Sequence, residues 1–314
     1  DLMAVLGSDH CFTVTGGMAM YLNRAVAQHP NVKAVYCHHE QACVAAAEGY
    51  AKATDFDRAG CAVVTAGPGV SNSITSLAAA FGDSVPMIIL AGQIKSSDID
   101  TIGTRTHGIQ EIRSEQLLAP CVKRFERLTK KRFKSQIKDA YVSAFEGRPG
   151  PVVLEMPLDT QGYPVDYSDE DIFSAAQAIV ENLKIVKTDS SGSHNLQRAF
   201  KSLANAKRPL LYLGNGIRIS GQSKAIIEFA TNLEIPMMFS WLSLDLLEGE
   251  NHLNLGCPGG LAPKHANWAL AQADCILFLG ARLDLATTAF QRQEFGSQAE
   301  RWIVPAHCAL QYGG

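Results

Sequence analysis

"VKAVYCHHEQACVAAAEGYA" (residues 32–51) sets two folding patterns side by side. Val32 to Cys37 is a short β-branched, apolar run, the signature of a strand covered on both faces, and the small residues from Ala42 onward are those of a closely packed helix. Between them lies His38-His39-Glu40, so the chain turns from strand to helix with a carboxyl group at the helix mouth. On position alone Glu40 has an ordinary explanation: an acid in the first helical turn is favoured by the helix dipole, by about 0.3–1 kcal/mol.

The same alternation extends outward in both directions. Strand-like runs recur at 11–16 (CFTVTG), 61–66 (CAVVTA), 86–92 (PMIILAG) and 151–157 (PVVLEMP), with helical segments such as "MAMYLNRAVAQ" and "SNSITSLAAAFGDS" between them. Continuous apolar strands separated by helices predict a parallel sheet covered on both faces. From about Gly162 the pattern lapses into the polar "YPVDYSDEDIF" and "KTDSSGSHN", which read as a linker over 163–190. A second series follows, with strands at 209–214, 235–240, 275–281 and 301–304. The expected architecture is therefore α/β: two doubly wound parallel-sheet domains in series, 1–162 and 191–314. The basic stretch "KRFERLTKKRFK" (123–134) reads as a solvated surface segment.

Composition narrows the function. With 28 basic and 31 acidic residues the net charge is −3, which gives no general attraction to nucleic acid or an anionic membrane. The eight cysteines fall mostly in apolar runs without a C-x-x-C pair, as expected of reduced core thiols in a cytoplasmic protein. No apolar run reaches the roughly 18–20 residues that a membrane helix needs. A chain that begins at Asp1 rather than methionine is expected to lack a short N-terminal piece.

In an open parallel sheet, ligands bind beyond the carboxyl ends of the strands. That rule selects Gly16-Gly17, His38-His39-Glu40, Gly67-Pro68-Gly69, Gly92-Gln93 and Pro157-Leu158-Asp159. The His-His-Glu triplet is a poor metal site, because three consecutive side chains cannot converge on one ion, so no metal ligand is expected in the chain. "GPGVSN" (67–72) and "GNGIRISG" (214–221) lack the third glycine of a dinucleotide fingerprint, and neither a P-loop nor a G-x-S-x-G elbow occurs.

Three motifs in order, "HHEQACVAAAEGYA", "VVTAGPGVSNSITSLAAAFGDSVPMIILAGQ" and "GRPGPVVLEMPLD", resemble the pyrimidine-binding domain of thiamine diphosphate enzymes, most closely the acetolactate synthase-like group. The second half, with "RPLLYLGNG", "IPMMFSWLSLD" and "CILFLGARLD", is similar to the central domain of the same enzymes. The resemblance implies that Glu40 is the catalytic acid that hydrogen-bonds N1′ of the aminopyrimidine and favours the imino tautomer, which activates the thiazolium carbon. It further implies cofactor contacts from Gly16, Gly17, Pro68, Asn72 and Gln110. Thr15 stands where the family has proline, Ser71 replaces a threonine, and the loop before Gln110 is two residues longer and lacks a phenylalanine, which leaves substrate specificity open. His38, His39 and His107 are expected to be structural or superficial.

The family's G-D-G...N domain, which holds Mg²⁺ and the diphosphate, is not among these residues, and the tail departs from the family pattern at Pro305. Of the central-domain residues that contact FAD in acetolactate synthases, only Arg282 and Asp284 have counterparts, which weighs against FAD. The implied function is carboligation or decarboxylation of a small-molecule 2-keto acid by a homodimer or dimer of dimers, without nucleic acid or membrane partners. A simple 2-keto acid decarboxylase is the alternative within the family; outside it stands a non-catalytic or split-subunit α/β binding protein.

Overall fold

The computed structural model describes residues 1–99, 103–164, 168, 171, 174–179 and 193–304. The chain divides into two compact units, Asp1–Val186 and Lys187–Gly314. The predicted linker 163–190 lies partly outside the described residues; its helical residues 174–179 carry Ala176 and Ile179 into buried positions, Ile179 within the core of the first unit.

The first unit is built on six parallel strands: β1 (His10–Thr13), β2 (Lys33–Tyr36), β3 (Gly60–Val64), β4 (Met87–Gln93), β5 (Arg124–Arg127) and β6 (Pro151–Pro157). Their order across the sheet is β2-β1-β3-β4-β6-β5. All five residues of β3 are buried, as are six of seven in both β4 and β6, which explains why those runs are apolar throughout. One face is covered by two helices: Cys61 and Val63 pack towards Met20–Gln28, Ile88, Val152 and Leu154 towards Phe133–Phe145, and Leu90 packs against both clusters.

The other face carries the helix Glu40–Ala53, and its small residues have a direct purpose. The carbonyl oxygen of Ala47 lies 2.0 Å from where a Cβ on Gly60 would stand, so helix and strand touch backbone to backbone. A larger residue at either contact would lift the helix off β3.

One strand is a correction to the sequence reading. Within "KRFERLTKKRFK", expected to be solvated, Arg124–Arg127 forms the edge strand β5 and Phe133 begins a helix. Arg124, Glu126 and Arg127 are half-buried and paired within the fold, whereas Lys130, Lys131, Arg132 and Lys134 are exposed as expected. Glu155, with a fully buried side chain, receives Gln93 Nε2 at 2.9 Å and the guanidinium of Arg127, while Gln93 Oε1 accepts Ile94 N–H at 2.9 Å.

The second unit holds β7 (Pro209–Leu213), β8 (Met237–Phe239), β9 (Cys275–Leu279) and β10 (Glu300–Val304), all parallel, in the order β10-β9-β7-β8. Buried clusters cover both of its faces, one around Leu211, Met237 and Leu277, the other around Tyr212, Phe278 and Phe295. Two parallel-sheet α/β units in series match the expected fold class. No helix among the described residues is long and apolar enough to cross a membrane.

Removing one partner from a buried ion pair leaves the other charge uncompensated, at a cost of about 3–5 kcal/mol. Arg127 keeps 38% of its side-chain surface exposed, so Arg127→Met is expected to cost nearer about 2–3 kcal/mol in urea unfolding of the first unit. Adding Glu155→Gln should recover part of that loss. An Arg127→Met midpoint equal to wild type would mean that Glu155 is held by other means.

Candidate functional site

The strand order identifies where a ligand fits. From β1 the chain moves outward to β2 and then returns past β1 to β3, so β1 and β3 are neighbours whose connections leave in opposite directions. A crevice opens at the carboxyl ends of such a pair. Thr13 Oγ1 donates to Val63 O at 2.9 Å across the pair, fixing its floor.

The loops above that floor approach more closely than most side chains allow. Gly16 is extended, at φ −158°, so its backbone suits any residue, but a Cβ there would lie 2.3 Å from Thr65 Cβ. Gly17, by contrast, has nothing within 4 Å of its Cβ direction. Gly67 turns the chain at φ +63°, and a Cβ there would meet Gln110 O at 2.5 Å. Gln110 itself adopts φ +61°, an unfavourable conformation for a side chain of its kind. Exposed Gln110 is thereby brought against the Gly67-Pro68 turn.

The geometry separates the two explanations of Glu40. His39, not Glu40, supplies the side-chain cap: its Nδ1 accepts Gln41 N–H at 3.1 Å. The Glu40 carboxyl reaches across to the next loop, where Oε2 accepts Asn72 Nδ2–H at 2.9 Å. Oε1 has no hydrogen-bond partner among the described residues. Glu40 and Asn72 are both half-buried, over a base of buried small residues. Among these is Cys43, whose thiol is pushed up to about 12, first by burial and then by contact with Cys37 and the nearby charge of Glu40.

Of the residues expected at a site, Gly16, Pro68, Asn72, Gln110 and Glu40 thus line one edge around the β1–β3 crevice, and Gly17 faces open space beside it. His38 is exposed, and His107 is an exposed loop residue whose Nδ1–H donates to Asp98 O at 3.1 Å.

Two further residues belong to the site's frame. Thr65 is 7% exposed, and its Oγ1 is buried without a hydrogen-bond partner among the described residues. Glu111, 6% exposed, receives His107 N–H at 2.6 Å and Gly108 N–H at 3.0 Å through Oε2, and so shapes the loop that presents Gln110. Thr65 is hidden in the sequence because a threonine in an apolar run is unremarkable for a strand; Glu111 ends the same "GTRTHGIQE" stretch that singles out Gln110, and the sequence reading takes the glutamine alone from it. Among the described residues no group of three or more His, Cys, Asp or Glu could hold a metal ion.

In the second unit, Asp284 Oδ1 accepts Thr287 N–H at 2.8 Å, and that bond leads the causes that lower its carboxyl. Arg282 Nη2 stands 3.8 Å from Asp284 Oδ2. Asp284 therefore caps its own turn.

Fold and site define an α/β protein with a carboxyl group and glycine-rich turns gathered at the carboxyl edge of a parallel sheet. Comparison with known families makes the class specific. The family described as "Thiamine pyrophosphate enzyme, N-terminal TPP binding domain" matches residues 1–117, and its "central domain" matches residues 196–307. The chain belongs to the thiamine pyrophosphate enzymes. It is 32% identical to the acetolactate synthase large subunit of Haemophilus influenzae, over 90% of this chain and 47% of that protein. It is 29% identical to the Lactococcus lactis acetolactate synthase large subunit, over 89% of this chain and 46% of that one. The chain spans about half the length of the curated relatives it matches.

The two glycines make opposite demands. Gly16→Ala is expected to cost about 2 kcal/mol or more, because the new methyl group collides with Thr65 on a strand end that cannot yield. Gly17→Ala should stay within about 0.5 kcal/mol of wild type. Thermal unfolding of the two variants checks the contrast, and equal melting temperatures would remove the close approach of Gly16 to Thr65 from the account.

Proposed function

We propose that this chain carries the pyrimidine-binding part of a thiamine diphosphate-dependent enzyme that joins 2-keto acids in the manner of an acetolactate synthase. The observation that carries the reading is the Glu40 carboxyl, with Oε2 engaged by Asn72 and Oε1 open at the β1–β3 crevice. A second supports it: Thr65 Oγ1, buried without a partner, lies beside Gly16 at the same strand ends.

The cofactor, when bound, supplies the carbanion chemistry that a 2-keto acid needs to lose CO₂ and attack a carbonyl acceptor. The chain's own residues govern a proton and an orientation. Glu40 holds the proton at N1′ through Oε1, and the Asn72 N–H on Oε2 fixes the plane of the carboxyl group. Gly16 and Gly17 would let the ring approach the backbone, and Pro68 and Gln110 would help to hold it. The small-residue helix below excludes water and holds Glu40 on a rigid element.

Mg²⁺ and the diphosphate belong, in this reading, to the family's G-D-G...N domain, outside these 314 residues. FAD is possible but not favoured in it, since Asp284 Oδ1 is engaged by its own turn. The proposed assembly is a homodimer or dimer of dimers acting in the cytoplasm on soluble keto acids. Tyr36 at 57% exposure and Ile109 at 79%, near the strand ends that carry the site, favour association there.

In the full-length protein, Glu40→Gln is expected to lower turnover of pyruvate by about 10²- to 10⁴-fold, because an amide cannot share the N1′ proton. The melting temperature and circular dichroism should match wild type. Turnover within about tenfold of wild type would remove Glu40 from the catalytic role. The wild-type product separates the two chemistries: a C–C bonded keto acid supports carboligation, whereas acetaldehyde alone would make the enzyme a decarboxylase.

A further inference from the structure

A second crevice opens on the same sheet edge. After β4 the chain passes to the short helix Ser114–Leu118, which packs with Pro68–Ser71 on one face of the sheet; after β6 it passes to Leu158–Gln161, which packs with Met20–Gln28 on the other. Because β5 lies outside β6, β4 and β6 are neighbours, and their connections diverge as those of β1 and β3 do. The geometric rule that selects the first crevice selects this one also.

A cavity of about 300 Å³ lies there, lined by Met20, Tyr21, Lys95, Leu158, Asp159 and Gly162. Its walls are apolar and bulky: Met20 is 51% exposed and Tyr21 46%. Tyr21 is backed by Gly162, whose Cβ would stand 3.2 Å from the ring, so the aromatic wall rests on backbone.

The charges are unequal. Asp159 is fully occupied: Oδ1 accepts Ser96 N–H at 2.8 Å and Ser96 Oγ–H at 3.0 Å, and Oδ2 pairs with Lys130 Nζ at 2.8 Å. Burial alone would raise its carboxyl, but Lys130 and Ser96 outweigh burial and hold it at about 2. Lys130 is committed in turn, to Asp159 and to the face of Tyr163, 5.9 Å from its ring centroid. Lys95 has no ion pair or hydrogen bond among the described residues. An exposed lysine without a partner among the described residues therefore lines a cavity with apolar and aromatic walls.

We propose that this crevice is a second ligand site, for a small monocarboxylate with an apolar body: the carboxylate on Lys95, the body against Met20, Tyr21 and Leu158. A single ammonium, without arginine, suits one carboxylate better than a phosphate, which calls for several donors. The volume is at the small end of ordinary ligand pockets, about 300–1,000 Å³. The site does not depend on the role given to Glu40.

The test uses 3-phenylpropanoate, which has no keto group to react, and its neutral analogue 3-phenylpropanamide, titrated by calorimetry into the full-length protein. One acid molecule per chain should bind, and the amide about tenfold more weakly or worse. Lys95→Met should lose the same factor for the acid and leave the amide unaffected, while Lys95→Arg keeps affinity. Gly162→Val, which drives Tyr21 into the cavity, should weaken acid and amide together. Glu40→Gln should leave binding unchanged. Equal affinity for acid and amide, an unaltered Lys95→Met, no heat at millimolar acid, or loss of binding in Glu40→Gln would each overturn the proposal.

Discussion

The hydrogen bond from Asn72 to Glu40 joins loops that follow β2 and β3, strands that are not neighbours. β1 lies between them, so the bond spans the strand whose own loop carries Gly16 and Gly17. It forms only if the loop after β1 stays low, and that is achieved by pressing Gly16 onto Thr65, where a side chain has no room. A hydrogen bond to a charged group contributes about 1.5–3 kcal/mol, more than the roughly 0.3–1 kcal/mol of a helix dipole. The orientation of Glu40 is accordingly set by Asn72 rather than by the helix it begins, with His39 doing the capping.

Rigidity below the site has the same origin as its dryness. Because Gly60 and Ala47 meet through backbone, the helix Glu40–Ala53 sits close against β3, with its own Cys43, Val44, Ala47 and Ala51 buried. The cost of such packing is that little can change: each methyl group added at the contact must displace backbone rather than a flexible side chain. The upward shift of the Cys43 thiol is a local sign of how poorly charge is solvated just under Glu40.

Most of the fold was legible because strands buried on both faces must be apolar along their whole length, as Gly60–Val64 and Met87–Gln93 are. β5 was not, since Arg124, Glu126 and Arg127 look solvated until the partners that neutralise them are known. Those partners, Gln136 and Glu155, lie elsewhere in the chain and reveal themselves only through contact. At the site, Glu40, Gly16 and Asn72 could be read from strand ends and motif, because each position is dictated by backbone geometry. The contact of Gln110 with Gly67 depends on a positive φ at a residue that seldom takes one, and no local sequence pattern announces it. The Lys95 cavity was equally hidden: its walls come from Met20-Tyr21, Lys95 and the Leu158–Gly162 stretch, which only the insertion of β6 inside β5 brings together.

Both crevices arise from reversals of strand order along one sheet, yet they carry opposite chemistry. The β1–β3 crevice presents the carboxyl of Glu40, suited to a ring nitrogen that shares its proton; the β4–β6 crevice presents the ammonium of Lys95, with Asp159 neutralised by Lys130. At ionic strengths near 0.1 M, charges interact over about 10 Å, so each pocket exerts its preference on what enters it rather than on the whole edge. A free carboxylate gains nothing from Glu40, and its proposed partner is Lys95. With the two proposed roles, the sheet would sort a nitrogen heterocycle from an organic acid with one side chain at each reversal, and the strand order, which no single motif encodes, would keep the two apart.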